Sequence, residues 1–86
     1  MDLRQAFAAN LRRLRHEKGL SQEALAYEAG VNRSYLSKLE KGASYAGLEI
    51  IGKLADVLGV EPAELLRQRS SIPAMPSSRR RTPEAR

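Results

Sequence analysis

The sequence contains no cysteine and only one histidine among its 86 residues. The absence of cysteine excludes a disulfide framework and a cysteine metal site, and one histidine cannot form a zinc cluster. No apolar run approaches transmembrane length, and no segment resembles a signal peptide. We therefore expect no metal or other cofactor, no membrane contact and a cytoplasmic location.

Patterns that carry catalysis are missing as well. The sequence has no nucleophile triad, no pair of carboxylates and no glycine loop that could bind phosphate, because the glycines are explained as helix stops. An enzyme is therefore not expected.

The length and charge of the chain predict one small domain followed by a basic tail. About 42% of the residues are apolar, enough for a modest core whose stability partner chains often increase. Residues 1–69 contain 11 basic and 9 acidic residues, whereas residues 70–86 contain 4 and 1. The net charge of +5 suggests a polyanionic partner, but the positions of the charges have to decide this.

No stretch shows the alternation of a strand, so the sequence predicts an all-α fold. Glycines suited to the left-handed end of a helix stand before Leu20, Val31, Ala43 and Val60. They mark helices over residues 2–18, 22–29, 33–41 and 47–58, and a short fifth helix begins at Pro62. Ser21 and Asn32 are the expected N-caps of the second and third helices.

Helical spacing of apolar residues predicts which faces are buried. The expected core consists of Leu3, Phe7, Leu11 and Leu14, then Leu25, Ala26 and Ala29, then Leu36 and Leu39, then Leu48, Ile51, Leu54, Ala55 and Leu58, and finally Leu65 and Leu66.

Residues 70–86 are rich in proline, serine and arginine and lack apolar periodicity, so we expect a flexible basic tail beyond a domain of residues 1–69. Ile72 and Met75 could dock on a surface or remain solvated. The tail also carries three consecutive arginines, Arg79, Arg80 and Arg81. They could lie along DNA and add a non-specific, salt-sensitive contribution to the free energy of binding, or they could make no fixed contact.

The third helix combines a buried stripe with an unusual exposed face. At about 100° per residue, Ser34, Lys38 and Lys41 point away from Leu36 and Leu39, with Ser37 beside them and Arg33 on the flank. This face carries no carboxylate, which favours contact with phosphates and base edges over simple solvation.

Two charges lie on predicted buried stripes. Glu40 falls beside the apolar face of the third helix, and Arg15 continues the row of Phe7 and Leu11 on the first. Because a buried charge needs a partner, we predict an Arg15–Glu40 ion pair that ties these helices together. The alternative is two independent surface charges.

The segments LRRLRHEKGLSQEALAYEAGVNRSYLSKLEKG and LEIIGKLADVLGV resemble the lambda-repressor-like, Cro-type helix-turn-helix family, also named after the xenobiotic response element. The resemblance covers about residues 3–67 without gaps. It implies a compact five-helix domain, encoded by a bacterium or phage, whose second and third helices form the helix-turn-helix. It also implies sequence-specific binding to operator DNA, and the family commonly pairs an arginine and a glutamate at the positions of Arg15 and Glu40.

The resemblance also assigns roles to residues by position. Base reading falls to Arg33, Ser34 and Lys38, with Ser37 secondary. Phosphate contact falls to Gln22, which also braces the third helix, and to Lys41 with the loop Ala43–Tyr45, where Ser44 and Tyr45 carry the polar side chains. Ala46 departs from the family, which often has proline there, and this makes the loop less rigid.

One domain offers few base contacts, so we expect a homodimer on two half-sites about one helical turn apart. Ile50 and Val57 could form the dimer surface or belong to the core. A transcriptional regulator is the leading interpretation, such as a controller or a phage-type repressor. The alternatives are an antitoxin that also binds a protein toxin, and a DNA-targeting module whose effector is another chain.

Overall fold

Five helices follow one another along residues 2–68, the part of the chain that the computed structural model describes. They are α1 (Leu3–Glu17), α2 (Gln22–Ala29), α3 (Arg33–Glu40), α4 (Leu48–Leu58) and α5 (Pro62–Leu66). Residues 2–68 contain no strand, so the prediction of an all-α, five-helix domain is confirmed. The helix bounds differ from the expected ones by about one residue, and the tail predicted for residues 70–86 lies outside the described residues.

The first three helices begin at side chains that cap free backbone amides. Asp2 accepts a hydrogen bond from the amide of Arg4 (3.0 Å), and Ser21 accepts one from the amide of Ala24 (3.0 Å). Asn32 accepts two, from Ser34 (2.8 Å) and from the next residue (3.3 Å). The expected caps Ser21 and Asn32 are thus confirmed, and each satisfies donors that an uncapped helix would leave free.

Four glycines end the first four helices in the left-handed conformation, with φ of 70° to 73° at Gly19, Gly30, Gly42 and Gly59. In each case the amide after the glycine donates to a carbonyl five residues earlier in the chain, which is the Schellman arrangement. These bonds run from Leu20 to Arg15 (3.1 Å), Val31 to Ala26 (2.9 Å), Ala43 to Lys38 (2.9 Å) and Val60 to Ala55 (3.0 Å). Short links between helices follow directly from these glycine stops.

The core lies where α1 packs against α3 and α5, α2 against α3 and α4, and α4 against α5. Its centre consists of leucines with no exposed surface, namely Leu11, Leu25, Leu36, Leu39, Leu54 and Leu65. Burying one such side chain contributes roughly 1.5–3 kcal/mol relative to exposure. Because two of these leucines belong to α3, the packing of the core also sets the orientation of that helix.

Two residues expected in the core are exposed. Leu3 is 52% exposed and Leu48 is 85% exposed, although both lie on the predicted apolar stripes. Each is the first residue of its helix. Periodicity gives the direction of a side chain but not the length of the neighbouring helix that would cover it. Among residues 2–68, no helix reaches far enough to bury the first residues of α1 and α4. Leu66, also expected in the core, is only partly buried.

Candidate nucleic-acid interface

Helices α2 and α3 are joined by a link of three residues, each of which has a structural role. Gly30 ends α2 in the left-handed conformation, Val31 packs against the core, and Asn32 caps α3. The link is short and held at both ends. As a result, the start of α3 is presented at the surface in a fixed orientation relative to α2.

The outward face of α3 carries the four side chains predicted to read bases. Arg33, Ser34 and Lys38 are exposed, and Ser37 is partly buried. The opposite face holds Leu36 and Leu39 of the core. The only acidic residue of α3 is Glu40, which is 3% exposed, so the outward face has no carboxylate to repel phosphate.

The structure brings Arg15 of α1 and Glu40 of α3 together in a two-pronged ion pair. Arg15 Nε lies 2.6 Å from Glu40 Oε2, and Arg15 Nη2 lies 3.0 Å from Glu40 Oε1. Arg15 is 9% exposed and Glu40 is 3% exposed. Such a planar, charge-assisted pair fixes the angle between two helices more strictly than apolar packing alone, because both hydrogen bonds are directional.

Glu40 also accepts a bond from α2. Gln22 Nε2 donates to Glu40 Oε1 at 3.0 Å, and the remaining arginine amine, Arg15 Nη1, donates to the carbonyl of Leu20 at 2.8 Å. In addition, Arg12 Nη1 donates to the backbone carbonyl of Glu40, at the C-terminus of α3. One buried carboxylate therefore joins α1, α2 and α3, and the bracing of α3 by Gln22 that the resemblance implied takes the form of a direct bond to Glu40.

The predicted phosphate-contacting residues lie at the edges of the helix-turn-helix. Gln22 is the first residue of α2, and Lys41 is the exposed residue that follows α3. Ser44 and Tyr45 belong to the loop between α3 and α4, where Ser44 is partly buried and Tyr45 is 75% exposed. Gln22 and Lys41 thus lie at the C-terminal end of α3, where Gln22 bonds to Glu40, and Ser44 and Tyr45 lie in the loop that follows.

Sequence analysis missed two residues that contact this loop. The Tyr35 hydroxyl donates to the backbone carbonyl of Tyr45 at 2.8 Å, and the guanidinium of Arg4 lies over the Tyr45 ring, 4.7 Å from its centroid. A signal was present for Tyr35, because at about 100° per residue it lies at the border of the α3 apolar stripe, where an apolar ring with a polar tip fits. No pattern in the sequence indicated Arg4.

Ile50 and Val57 lie seven residues apart on α4, so they share one side of that helix. Both are partly buried and pack against the core cluster. Their remaining exposed surface is available to a partner, while their contacts with the core also give them a structural role.

Neither a metal site nor a membrane span is found in residues 2–68. These residues contain no group of three or more histidine, cysteine, aspartate or glutamate side chains placed to hold a metal ion. Of the five helices described, none combines the length and the hydropathy needed to cross a bilayer.

Comparison with known proteins identifies the family. A family model that describes a helix-turn-helix domain matches residues 6–68. The chain belongs to the Cro-type helix-turn-helix family. A curated relative in this family, the control protein C.BamHI of Bacillus amyloliquefaciens, is 38% identical over 66 residues, which span 76% of this chain and 82% of the relative.

Solved structures of Cro-type helix-turn-helix proteins agree with this assignment. The restriction-modification controller protein C.AhdI from Aeromonas hydrophila is 47% identical, with a TM-score of 0.70 over 72% of this chain and 94% of that one. SinR, a master regulator of biofilm formation solved in complex with DNA, is 34% identical, with a TM-score of 0.69 over 71% of this chain and 98% of that one. SinR has also been solved in complex with the protein SinI.

Membership of the Cro-type helix-turn-helix family defines the general activity. The chain is a DNA-binding transcriptional regulator of a family that is not enzymatic. The resemblance and the lambda-repressor-like fold that the sequence indicated are thereby confirmed.

Proposed function

We propose that this regulator binds operator DNA as a homodimer, with α3 in the major groove of each half-site. The observation that carries the proposal is the exposed face of α3, which is basic or hydroxylated and free of carboxylates. The buried bonds of Glu40 to α1 and α2 support it further, because a helix that reads bases has to be held in one orientation.

Base reading falls to four side chains of α3. Arg33 and Lys38 are exposed and can each donate to guanine O6 and N7, whereas Ser34 and Ser37 discriminate less because a hydroxyl both donates and accepts. We therefore expect guanine at one or more positions of each half-site. A good bidentate contact contributes roughly 1–3 kcal/mol of discrimination between bases.

Phosphate contact falls to Gln22, Lys41, Ser44 and Tyr45. The hydrogen bond to Glu40 holds the side-chain amide of Gln22 at the start of α2. Free backbone N–H groups at this helix start also favour an anion. Lys41 and Tyr45 are exposed after the C-terminal end of α3, the end at which Gln22 bonds to Glu40. Phosphate contacts from these residues would fix the register of the domain on the duplex without reading its sequence.

The homodimer follows from the size of the interface. A recognition helix of eight residues reaches few base pairs, and a second copy on a half-site about 34 Å away doubles the contacts. We assign the dimer surface to the side of α4 that carries Ile50 and Val57, because both retain exposed apolar area there.

Selection of binding sites from random duplex DNA tests the proposal directly. We expect an enriched motif with two related half-sites, each containing guanine, and a dimer of the full chain in analytical ultracentrifugation at micromolar concentration. Failure to enrich any motif would refute sequence-specific binding. A strict monomer both with and without the selected DNA would refute the homodimer but leave DNA binding intact.

A second proposal concerns the genes that the regulator controls. C.BamHI and C.AhdI are control proteins, and this chain covers 82% and 94% of their lengths. This favours control of a restriction–modification operon over the antitoxin interpretation, which stays a prediction. Neighbouring genes for a methyltransferase and a restriction enzyme would support the controller role, whereas a neighbouring toxin that co-purifies with the chain would support the antitoxin. Either role is expected to place the protein in the cytoplasm, on DNA.

A further inference from the structure

We infer that Tyr35 is a positioning residue for DNA binding, which acts by fixing the loop between α3 and α4 (residues 41–47) against the recognition helix. This role rests on the proposed function, since it concerns how the phosphate-contacting residues Ser44 and Tyr45 are held. Tyr35 itself need not touch DNA.

The contact is a single well-formed hydrogen bond between α3 and the loop. Tyr35 is partly buried and packs against the core, which restricts its ring. Its hydroxyl donates to the carbonyl of Tyr45 at 2.8 Å, ten residues further along the chain. A donor on a ring with only two side-chain torsions loses little conformational freedom in forming this bond.

The loop has few other hydrogen bonds to order it. Its first residues are tied by the amides of Gly42 and Ala43, which donate to carbonyls of α3 (3.1 and 2.9 Å), and the carbonyl of Gly47 accepts from the amide of Ile51 (3.0 Å). For the backbone of residues 44–46, the Tyr35 hydroxyl is the one hydrogen-bond partner found among residues 2–68. Tyr35 therefore supplies the hydrogen bond that orders the middle of the loop, beside the apolar contact of Ala46 with the core.

Arg4 holds the same residue from the other side. Its guanidinium lies over the Tyr45 ring, 4.7 Å from the ring centroid, at a distance suited to cation–π attraction. Tyr45 is thus held at its carbonyl by α3 and at its ring by α1, yet the residue remains 75% exposed. This arrangement orders Tyr45 and leaves it accessible to a phosphate.

The expected consequence is preorganisation. If the loop is ordered before DNA binds, the free energy of binding does not have to offset the entropy lost on ordering it. Loss of the Tyr35 bond should raise Kd roughly three- to tenfold, which is what one intramolecular hydrogen bond typically contributes. The increase should be similar for operator and unrelated DNA, because phosphates are the same in every sequence.

The test compares Tyr35→Phe with the matched variant Tyr27→Phe in the full chain. Tyr27 is 83% exposed, so its hydroxyl is not expected to hold any loop. Chymotrypsin cleavage after Tyr45, identified by mass spectrometry, reports the order of the loop without DNA. Kd for the selected operator and for an unrelated duplex, measured well below the unfolding temperature, reports the effect on binding.

We expect Tyr35→Phe to speed cleavage after Tyr45 and to raise both Kd values by the same factor, with Tyr27→Phe unchanged in both assays. Because the Tyr45 carbonyl can bond to water once released, Tm should fall by no more than about 10 °C. An equal increase in Kd for the two duplexes distinguishes this role from base reading. A base-reading residue behaves differently, since Arg33→Ala should weaken binding to the operator more than binding to unrelated DNA.

Unchanged cleavage, or faster cleavage with unchanged Kd, would overturn the positioning role while the DNA binding of the wild type stands. Failure of the wild type to bind any duplex would overturn the proposed function, and the positioning role with it. The two failures are therefore distinguishable, since the first is seen in the variant and the second in the parent chain.

Discussion

Removal of either member of the Arg15–Glu40 pair should strongly destabilise the fold. Arg15→Met leaves a carboxylate that is 3% exposed with a single remaining side-chain bond, from Gln22, and it also removes the donor to the Leu20 carbonyl. Glu40→Leu leaves a guanidinium that is 9% exposed without its carboxylate. Breaking a buried pair in this way costs roughly 3–5 kcal/mol.

That loss is large for a domain of this size. At about 0.05–0.15 kcal/mol per residue, the folded part has a free energy of unfolding of about 3–10 kcal/mol. Either single variant should thus lose roughly a third or more of its free energy of unfolding, and at the lower end of this range it should be largely unfolded in water. Urea unfolding followed by circular dichroism at 222 nm measures the difference, and comparable m-values would show that the two-state analysis holds.

The double variant Arg15→Met/Glu40→Leu separates two quantities: the free energy that the ion pair contributes, and the cost of leaving one buried charge without a partner. It replaces both charges with apolar groups, a change that is often neutral or stabilising at buried pairs. We expect it to be more stable than either single variant, because no unpaired charge remains. The backbone carbonyl of Glu40, which accepts from Arg12, is unaffected by the substitution.

The pair Glu49–Lys53 on α4 is the matched control. Its charged atoms lie 3.8 Å apart, and its side chains are 82% and 45% exposed. Breaking an exposed helix pair of this spacing costs about 0.3–0.5 kcal/mol. If Arg15→Met and Glu40→Leu cost no more than Lys53→Met, the buried pair does not hold the helices together and the reasoning is refuted.

Three further predictions concern single residues. Gly42→Ala should cost about 1–2 kcal/mol, because φ is +73°, and the Gln5 side chain would have to move away from the added Cβ. Gly52→Ala, mid-helix with nothing within 4 Å, should instead stabilise by about 0.5–1 kcal/mol, so urea unfolding should give opposite signs for the two variants. Asn32→Ala should cost about 1 kcal/mol in the same assay by removing the cap of α3, and a cost near zero would contradict the capping role. Arg33→Ala should relax specificity at one base pair in binding-site selection; a uniform loss on all DNA would show that Arg33 clamps a phosphate instead.

Local patterns in the sequence determined most of the architecture. Left-handed glycines and capping side chains act within five residues of their partners, so the bounds of the helices could be predicted closely. Arg15 and Glu40 could be paired for a different reason. Each lies on a buried stripe, and a buried charge needs a partner. Because the two stripes carry charges of opposite sign, the sequence predicted that they pair.

The tertiary structure decided what depends on the lengths and positions of neighbouring helices. Leu3 and Leu48 have the periodicity of core residues, but within residues 2–68 the helix starts at which they lie are 52% and 85% exposed. The bond from Tyr35 to Tyr45 likewise depends on the path of the loop, which no pattern in the loop sequence specified. Periodicity is a property of one helix, whereas coverage and loop contacts arise only when several helices pack, so only the folded chain could reveal them.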